Sequence, residues 1–225
     1  SSLENTFGSG GVVVNEQFAF GGVQFSSLDV SIPAVISLVL TQTVLLISLI
    51  IIVRETTSGV LSRLYTMPLS ALERLLGYSI ALLVLGMALT GVVLFIGLGI
   101  FGAIVQGSFA LLIFGAVIYA LLNIFLAVFL SNFAKNELQA VQMVPLVTLP
   151  SMALSGMLIP VSSFLAWVQT IAQFVPMYYA NKLFEGIMLK GYGIDNLAPQ
   201  FVIIGGIALL FFALAVMTVK DRMPD

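Results

Sequence analysis

Bond-making chemistry has few residues to draw on in this chain. Histidine and cysteine are absent. That removes the commonest general base and metal ligand, every thiolate, and any disulfide framework. The most informative polar stretch is RETTSGVLSRLYTMPLSALERLLG, residues 54–77. Thr56, Thr57 and Ser58 can cap a short helix running to about Thr66, with Leu61, Leu64 and Tyr65 on one face. Pro68 disfavours helix at Met67 and bends the chain there. Ser70 and Glu73 form an S-x-x-E capping box that opens the next helix. The chemistry this offers is recognition and leverage. An amphipathic helix on the membrane face, hinged to two spans, either transmits force from a partner or only anchors the bundle.

Polar residues elsewhere sit inside apolar runs: Thr41, Gln42, Thr43 and Ser48 in the first, Asn123 in the third, Gln139 and Gln142 in the fourth. Such groups either bond across helices or line a substrate path. Thr41, Gln42, Asn123 and Gln142 are the path candidates. None of the apolar runs holds a charged side chain, the device proton-coupled carriers place at membrane depth. There is no G-x-x-x-x-G-K-[ST] phosphate loop and no H-E-x-x-H zinc site. No metal site and no resident cofactor are therefore expected, and energy must come from another subunit. The basic residues are scattered and net charge is −2, which argues against nucleic acid.

The elements that position these residues belong to a membrane protein. Apolar residues make up 60% of the 225 and charged ones 8%, and mean hydropathy is +1.16. A water-facing globule would carry roughly a quarter charged residues. Five runs, 33–53, 75–105, 109–130, 138–159 and 198–219, reach the ~20 residues needed to cross a bilayer. Each must be helical, because hydrocarbon satisfies no backbone group. Pro145 and Pro150 should kink the fourth. Alternation places Arg54, Arg63, Arg74, Lys135, Lys220 and Arg222 on one side, which reads as cytoplasmic, with the carboxyl-terminal tail, 220–225. Residues 1–32, Gly-rich and without an initiator Met, read as the tail of an external domain, and a preceding span is expected.

Between the fourth and fifth runs lies PVSSFLAWVQTIAQFVPMYYANKLFEGIMLKGYG, residues 160–193. Pro160 and Pro176 divide it into two helical patterns, 162–174 and 177–190, each too short to span. Trp167, Tyr178 and Tyr179 suit an interfacial level. The expected element is an external re-entrant helical hairpin, with Trp167, Tyr178, Tyr179 and Glu185 on it. It either gates an exit path or packs over the bundle.

Residues 54–77 resemble the coupling segment of type-2 ABC transporter permeases, through Arg54, Glu55, Gly59, Arg63, Leu64, Thr66, Pro68, Ser70, Glu73 and Gly77. Val60 and Ser62 stand where that family has Thr and an acidic residue. SNFAKNELQAVQ and the hairpin sequence resemble its carboxyl-terminal half. The resemblance implies an all-α polytopic permease domain over 33–219, with a coupling segment at 54–76, a hairpin at 160–193, and six spans in the whole protein. It implies a second permease copy, identical or homologous, and two ATP-binding cassette subunits that hold ATP and Mg. Glu55, Gly59, Arg63, Leu64, Met67 and Pro68 are then the ATPase-coupling residues, and the cargo is hydrophobic or amphipathic: a drug, lipid or lipid-linked molecule. An ATP-independent channel or scaffold subunit is the alternative.

Overall fold

The computed structural model describes residues 27–58, 71–102 and 104–220. Seven α-helices run through them: α1 (Ser27–Thr57), α2 (Ala71–Leu94), α3 (Phe109–Ser131), α4 (Glu137–Leu154), α5 (Ala166–Ala172), α6 (Pro176–Met188) and α7 (Ile194–Lys220). A π-helical stretch, Phe95–Ile100, prolongs α2, and a 3-10 turn, Val161–Ser163, precedes α5. Among the described residues there is no strand. Residues 1–26 of the expected external tail, 1–32, most of the expected coupling segment at 59–70 and the tail at 221–225 lie outside the described residues, while 27–32 belong to α1.

Among the described residues four stretches are long and apolar enough to cross a membrane: Ser31–Thr57, Ser79–Ile100, Phe109–Ser131 and Ile194–Met217. The expected fifth, 138–159, forms α4. That helix has 18 residues, about 27 Å at 1.5 Å per residue. It starts earlier than expected, because the Asn136 side chain caps it by accepting from the Gln139 amide at 2.8 Å. It ends earlier too, just ahead of Gly156, whose φ of +85° is left-handed. Pro145 and Pro150 lie inside it. The run at 75–105 is likewise interrupted after the π-helical stretch, where Gly102 has φ +64°. A π turn shifts the helix by one residue and re-aims the chain beyond it.

The short helix expected to follow, through about Thr66, lies outside the described residues. α1 itself continues through Thr56 and Thr57, whose hydroxyls donate to the carbonyls of Ile52 (2.7 Å) and Val53 (3.0 Å). Ser58 closes the helix with its amide on the Arg54 carbonyl at 2.9 Å. α2 then begins at Ala71, with Glu73 in its first turn, where a negative charge suits the helix dipole.

α3 is the centre of the bundle. Leu112, Ala116, Tyr119, Ala120, Leu122 and Ile124 along it are buried, and it packs against α1, α2, α6 and α7. Lipid offers no hydrophobic gain for helix association, so close packing must supply it. Gly115 shows how close: a Cβ there would lie 2.9 Å from Leu183 Cδ2 of α6. Phe125 of α3 meets Phe212 of α7 edge-on, ring centroids 5.0 Å apart. The outward faces of α2 and α7 leave Val84, Phe95, Val202 and Leu209 exposed, the surface a lipid-embedded helix presents.

Candidate functional site

α1 connects two chemically different ends of the bundle. At its carboxyl end, Arg54 Nε lies 3.8 Å from Glu137 Oε1 at the start of α4, both side chains largely exposed. Beside Arg54, the Glu55 carboxylate is half-buried, and its Oε2 has no hydrogen-bond partner among the described residues. A carboxylate oxygen out of water without a donor is costly and calls for a reason. Of the six expected coupling residues only Glu55 is described. Gly59, Arg63, Leu64, Met67 and Pro68 lie outside the described residues.

Midway along α1 the structure joins two of the four path candidates. Tyr119 of α3 is buried, and its hydroxyl lies 2.5 Å from Thr41 Oγ1. Thr41 Oγ1 also donates to the Ser37 carbonyl at 2.8 Å. A threonine hydroxyl has one proton, so Tyr119 donates to Thr41 when Thr41 donates to Ser37. Asn123 Nδ2 donates to the Tyr119 carbonyl at 2.8 Å. Thr41 and Asn123 thus share one buried network. Gln42 is half-buried and Gln142 exposed, and neither belongs to it. Sequence reasoning missed Tyr119. The signal available was a hydroxyl in an otherwise apolar run, which needs a partner when buried.

The network continues toward the amino end of α1. Ser37 Oγ donates to Asn181 Oδ1 of α6, and Asn181 Nδ2 donates to the Ser155 carbonyl after α4 at 3.2 Å. One amide therefore fastens α6 to α1 and to the α4 exit. Both groups were also missed, because Asn181 sits in an amphipathic run where a polar residue reads as solvent-facing.

The hairpin residues are brought to this end. α5 carries Trp167, exposed. On α6, Tyr178 and Tyr179 meet edge-on with centroids 5.1 Å apart. Burial, with Tyr178 beside it, pushes the Tyr179 hydroxyl up from its ordinary pKa. Lys182 bonds the Tyr178 hydroxyl and lies 4.2 Å from its ring centroid, a cation–π position. Glu185 Oε1 is 2.9 Å from Lys190 Nζ. The far end of α6 is pinned by backbone: the amides of Gln106 and Gly107 each donate at 3.0 Å, to the carbonyls of Met188 and Ile187. At Gly107 a Cβ would lie 2.6 Å from the Ile187 carbonyl oxygen, so only glycine allows that approach. Between this hairpin, the α4 exit and the start of α1 is a cavity of about 780 Å³, lined by Pro33, Leu158, Tyr178, Asn181, Lys182 and Glu185 among others. No group of three or more His, Cys, Asp or Glu side chains able to hold a metal occurs among the described residues.

Long uncharged helices joined by buried hydroxyls and amides, with apolar faces left open to lipid, make this an integral membrane protein. The ABC-2 type transporter family matches residues 11–189, and the chain belongs to that family. It is 27% identical to the "Probable multidrug ABC transporter permease YbhR" of Escherichia coli over 76% of this chain and 48% of the relative. It is 28% identical to the E. coli "Inner membrane transport permease YhhJ" over 91% of this chain and 52% of the relative. With "ABC transporter G family member 20" of Dictyostelium discoideum it shares 25% identity over 90% of this chain and 28% of the relative. The chain spans about half the length of the two bacterial relatives. No solved structure matches it.

Proposed function

We propose that this chain is the membrane-spanning permease part of an ATP-driven exporter, moving a hydrophobic or amphipathic molecule and powered by a separate ATPase subunit. One observation carries the reading: the family match extends across both the 54–77 segment and most of the hairpin. Two bacterial relatives are named as permeases, which supports a non-catalytic role in which ATP and Mg belong to the partner. In this reading α4 completes a set of five spans, Arg54 and the carboxyl end face the cytoplasm, and the hairpin dips into the opposite leaflet. A second copy of the permease pairs with the first.

The coupling segment gives Glu55 a purpose. Its Oε2, without a partner among the described residues, sits at the mouth of the segment, where a donor from the docked ATPase would complete it. Gly59, Arg63, Leu64, Met67 and Pro68 form the rest of the joint, with Leu64 and Met67 filling a groove on the ATPase and the charged residues orienting it. Gln42 and Gln142 remain as path residues.

Reconstituting the whole permease with its cognate ATPase tests this. Arg63→Glu with Leu64→Asp is expected to remove ATPase co-purification and ATP-dependent export together, a loss of at least about tenfold for a desolvated charge reversal. Export that persists at full rate, or cargo movement with no ATPase bound, sinks the reading in favour of an ATP-independent channel or scaffold.

A further inference from the structure

The cavity under the hairpin combines two surfaces that a purely structural void would not need. One side is apolar, with Pro33 at the start of α1 and Leu158 beyond α4, the latter 61% exposed. The polar lining includes Tyr178, Asn181, Lys182 and Glu185 of α6, with Gln169 of α5 and Ser155 after α4. The volume, about 780 Å³, falls within the roughly 300–1,000 Å³ of small-molecule sites.

Charge decides what such a site would hold. Lys182 and Glu185 are the charged residues lining the cavity. Glu185 is already closed by Lys190 at 2.9 Å. Lys182 forms no ion pair among the described residues; it bonds a phenol and lies over its ring. Among the described residues, Lys182, Glu185 and Lys190 therefore leave the cavity and its rim one net positive charge, and Lys182 has further donors to offer, since an ammonium has three. The wall behind is fixed, because Asn181 is buried and spends its amide on Ser37 and Ser155. A rigid polar wall carrying an uncompensated cation, facing an apolar wall, matches an anionic headgroup attached to an acyl or other apolar tail.

We propose that this cavity binds the headgroup of an anionic amphiphile, with Lys182 as its charge partner. The site stands on the cavity's own chemistry. Taking its occupant as the exported molecule rests on the transport reading above.

The test uses the whole permease in neutral detergent without nucleotide, and fluorescent lysophosphatidic acid as the probe. Lys182→Gln is expected to weaken binding on the order of tenfold, the scale of one charge-assisted hydrogen bond. Lys182→Arg should keep most of the affinity. Lys190→Gln should weaken it as well, by releasing the Glu185 charge toward the probe. Lysophosphatidylcholine, with no net charge, should bind more weakly than the probe, and millimolar inorganic phosphate should fail to displace it. Unchanged affinity in Lys182→Gln overturns the site, as does equal binding of the zwitterion. Displacement by phosphate alone would assign the cavity to a soluble anion and overturn the amphiphile. A permease that binds the probe in the expected pattern but recruits no ATPase keeps the site and loses the export reading; the reverse loses only the site.

Discussion

The two ends of α1 are held by opposite means. Toward its amino end, Ser37 and Thr41 are buried and bonded to Asn181 and Tyr119. Toward its carboxyl end Ile52 and Val53 are buried in one apolar cluster with Val128 of α3 and Ala140 of α4, and the polar fastening among the described residues is one long ion pair between exposed side chains, next to a carboxylate oxygen without a partner among those residues. Exposed pairs of that kind contribute roughly 0–1 kcal/mol, whereas a buried hydroxyl that loses its partner costs about 1–3 kcal/mol. The difference teaches where the molecule is closed and where it is open. At the hairpin end the buried polar groups Ser37, Thr41 and Asn181 find their partners within the chain. The Arg54 end is the one that the proposed ATPase would complete, and a helix of 31 residues, about 46 Å long by its rise, joins the two. Displacing one end of such a rod must strain the fastenings at the other.

The largest stability effect should come from the middle of that rod. Tyr119→Ala removes a fully buried ring that packs edge-on against Phe184, centroids 6.3 Å apart, and also ends the bond to Thr41. A loss of about 3–5 kcal/mol is expected for such a truncation. Denaturant titration of the detergent-solubilised protein measures it, with Tyr119→Phe expected to recover most of the loss. A cost under about 1 kcal/mol for Tyr119→Ala, below the range for a buried aromatic, would mean that α1 and α3 are not held together at this point.

The hairpin latch comes next. Asn181→Leu keeps a similar volume but removes the bonds to Ser37 and the Ser155 carbonyl. Interhelical hydrogen bonds of this type are worth about 0.6 kcal/mol each and at most about 1.7, so a loss of about 1–2 kcal/mol is expected. The sharper readout is local. Amide exchange along α6 should accelerate while that of α3 stays as it was. Unchanged exchange in α6 would show that the apolar contacts of Leu183, Phe184 and Ile187 hold the hairpin without the latch.

The class of fold was legible in the sequence because lipid imposes a coarse rule. Uncharged runs of sufficient length must be helices, and 33–53, 109–130 and 198–219 all lie inside long ones. Of the two helical patterns divided by Pro160 and Pro176, the second forms α6, Pro176–Met188, while the first, expected over 162–174, shortens to α5, Ala166–Ala172, behind a 3-10 turn at Val161–Ser163. What escaped was set by single residues whose effect depends on tertiary geometry. Gly156 and Gly102 end runs by adopting left-handed φ, and composition alone does not distinguish them from Gly86 or Gly97, which remain helical. Thr56 and Thr57 donate to carbonyls of their own helix, bonds that their residue types alone do not announce. Of the candidate path residues, Thr41 and Asn123 meet only because Tyr119 lies between them, a pairing across 78 residues for Thr41 that no local pattern announces.

The smallest effect is the one that tests the open end most directly. Arg54→Gln removes an ion pair whose members are 74% and 52% exposed. In the isolated permease the change should cost under about 0.5 kcal/mol, because water solvates both charges nearly as well as they solvate each other. If the Arg54 end is completed by a partner, the same substitution should matter far more once an ATPase is present. Docking excludes water, and a charge pair that is screened in the free chain becomes desolvated at a joint. The comparison to make is therefore Arg54→Gln stability without the ATPase against its effect on ATPase affinity with it. A small value in the first and a several-fold weakening in the second would mark this end as an unfinished surface. Equal, negligible values in both would place the docking joint further along, among residues 59–70, and reduce Arg54 to a solvated anchor.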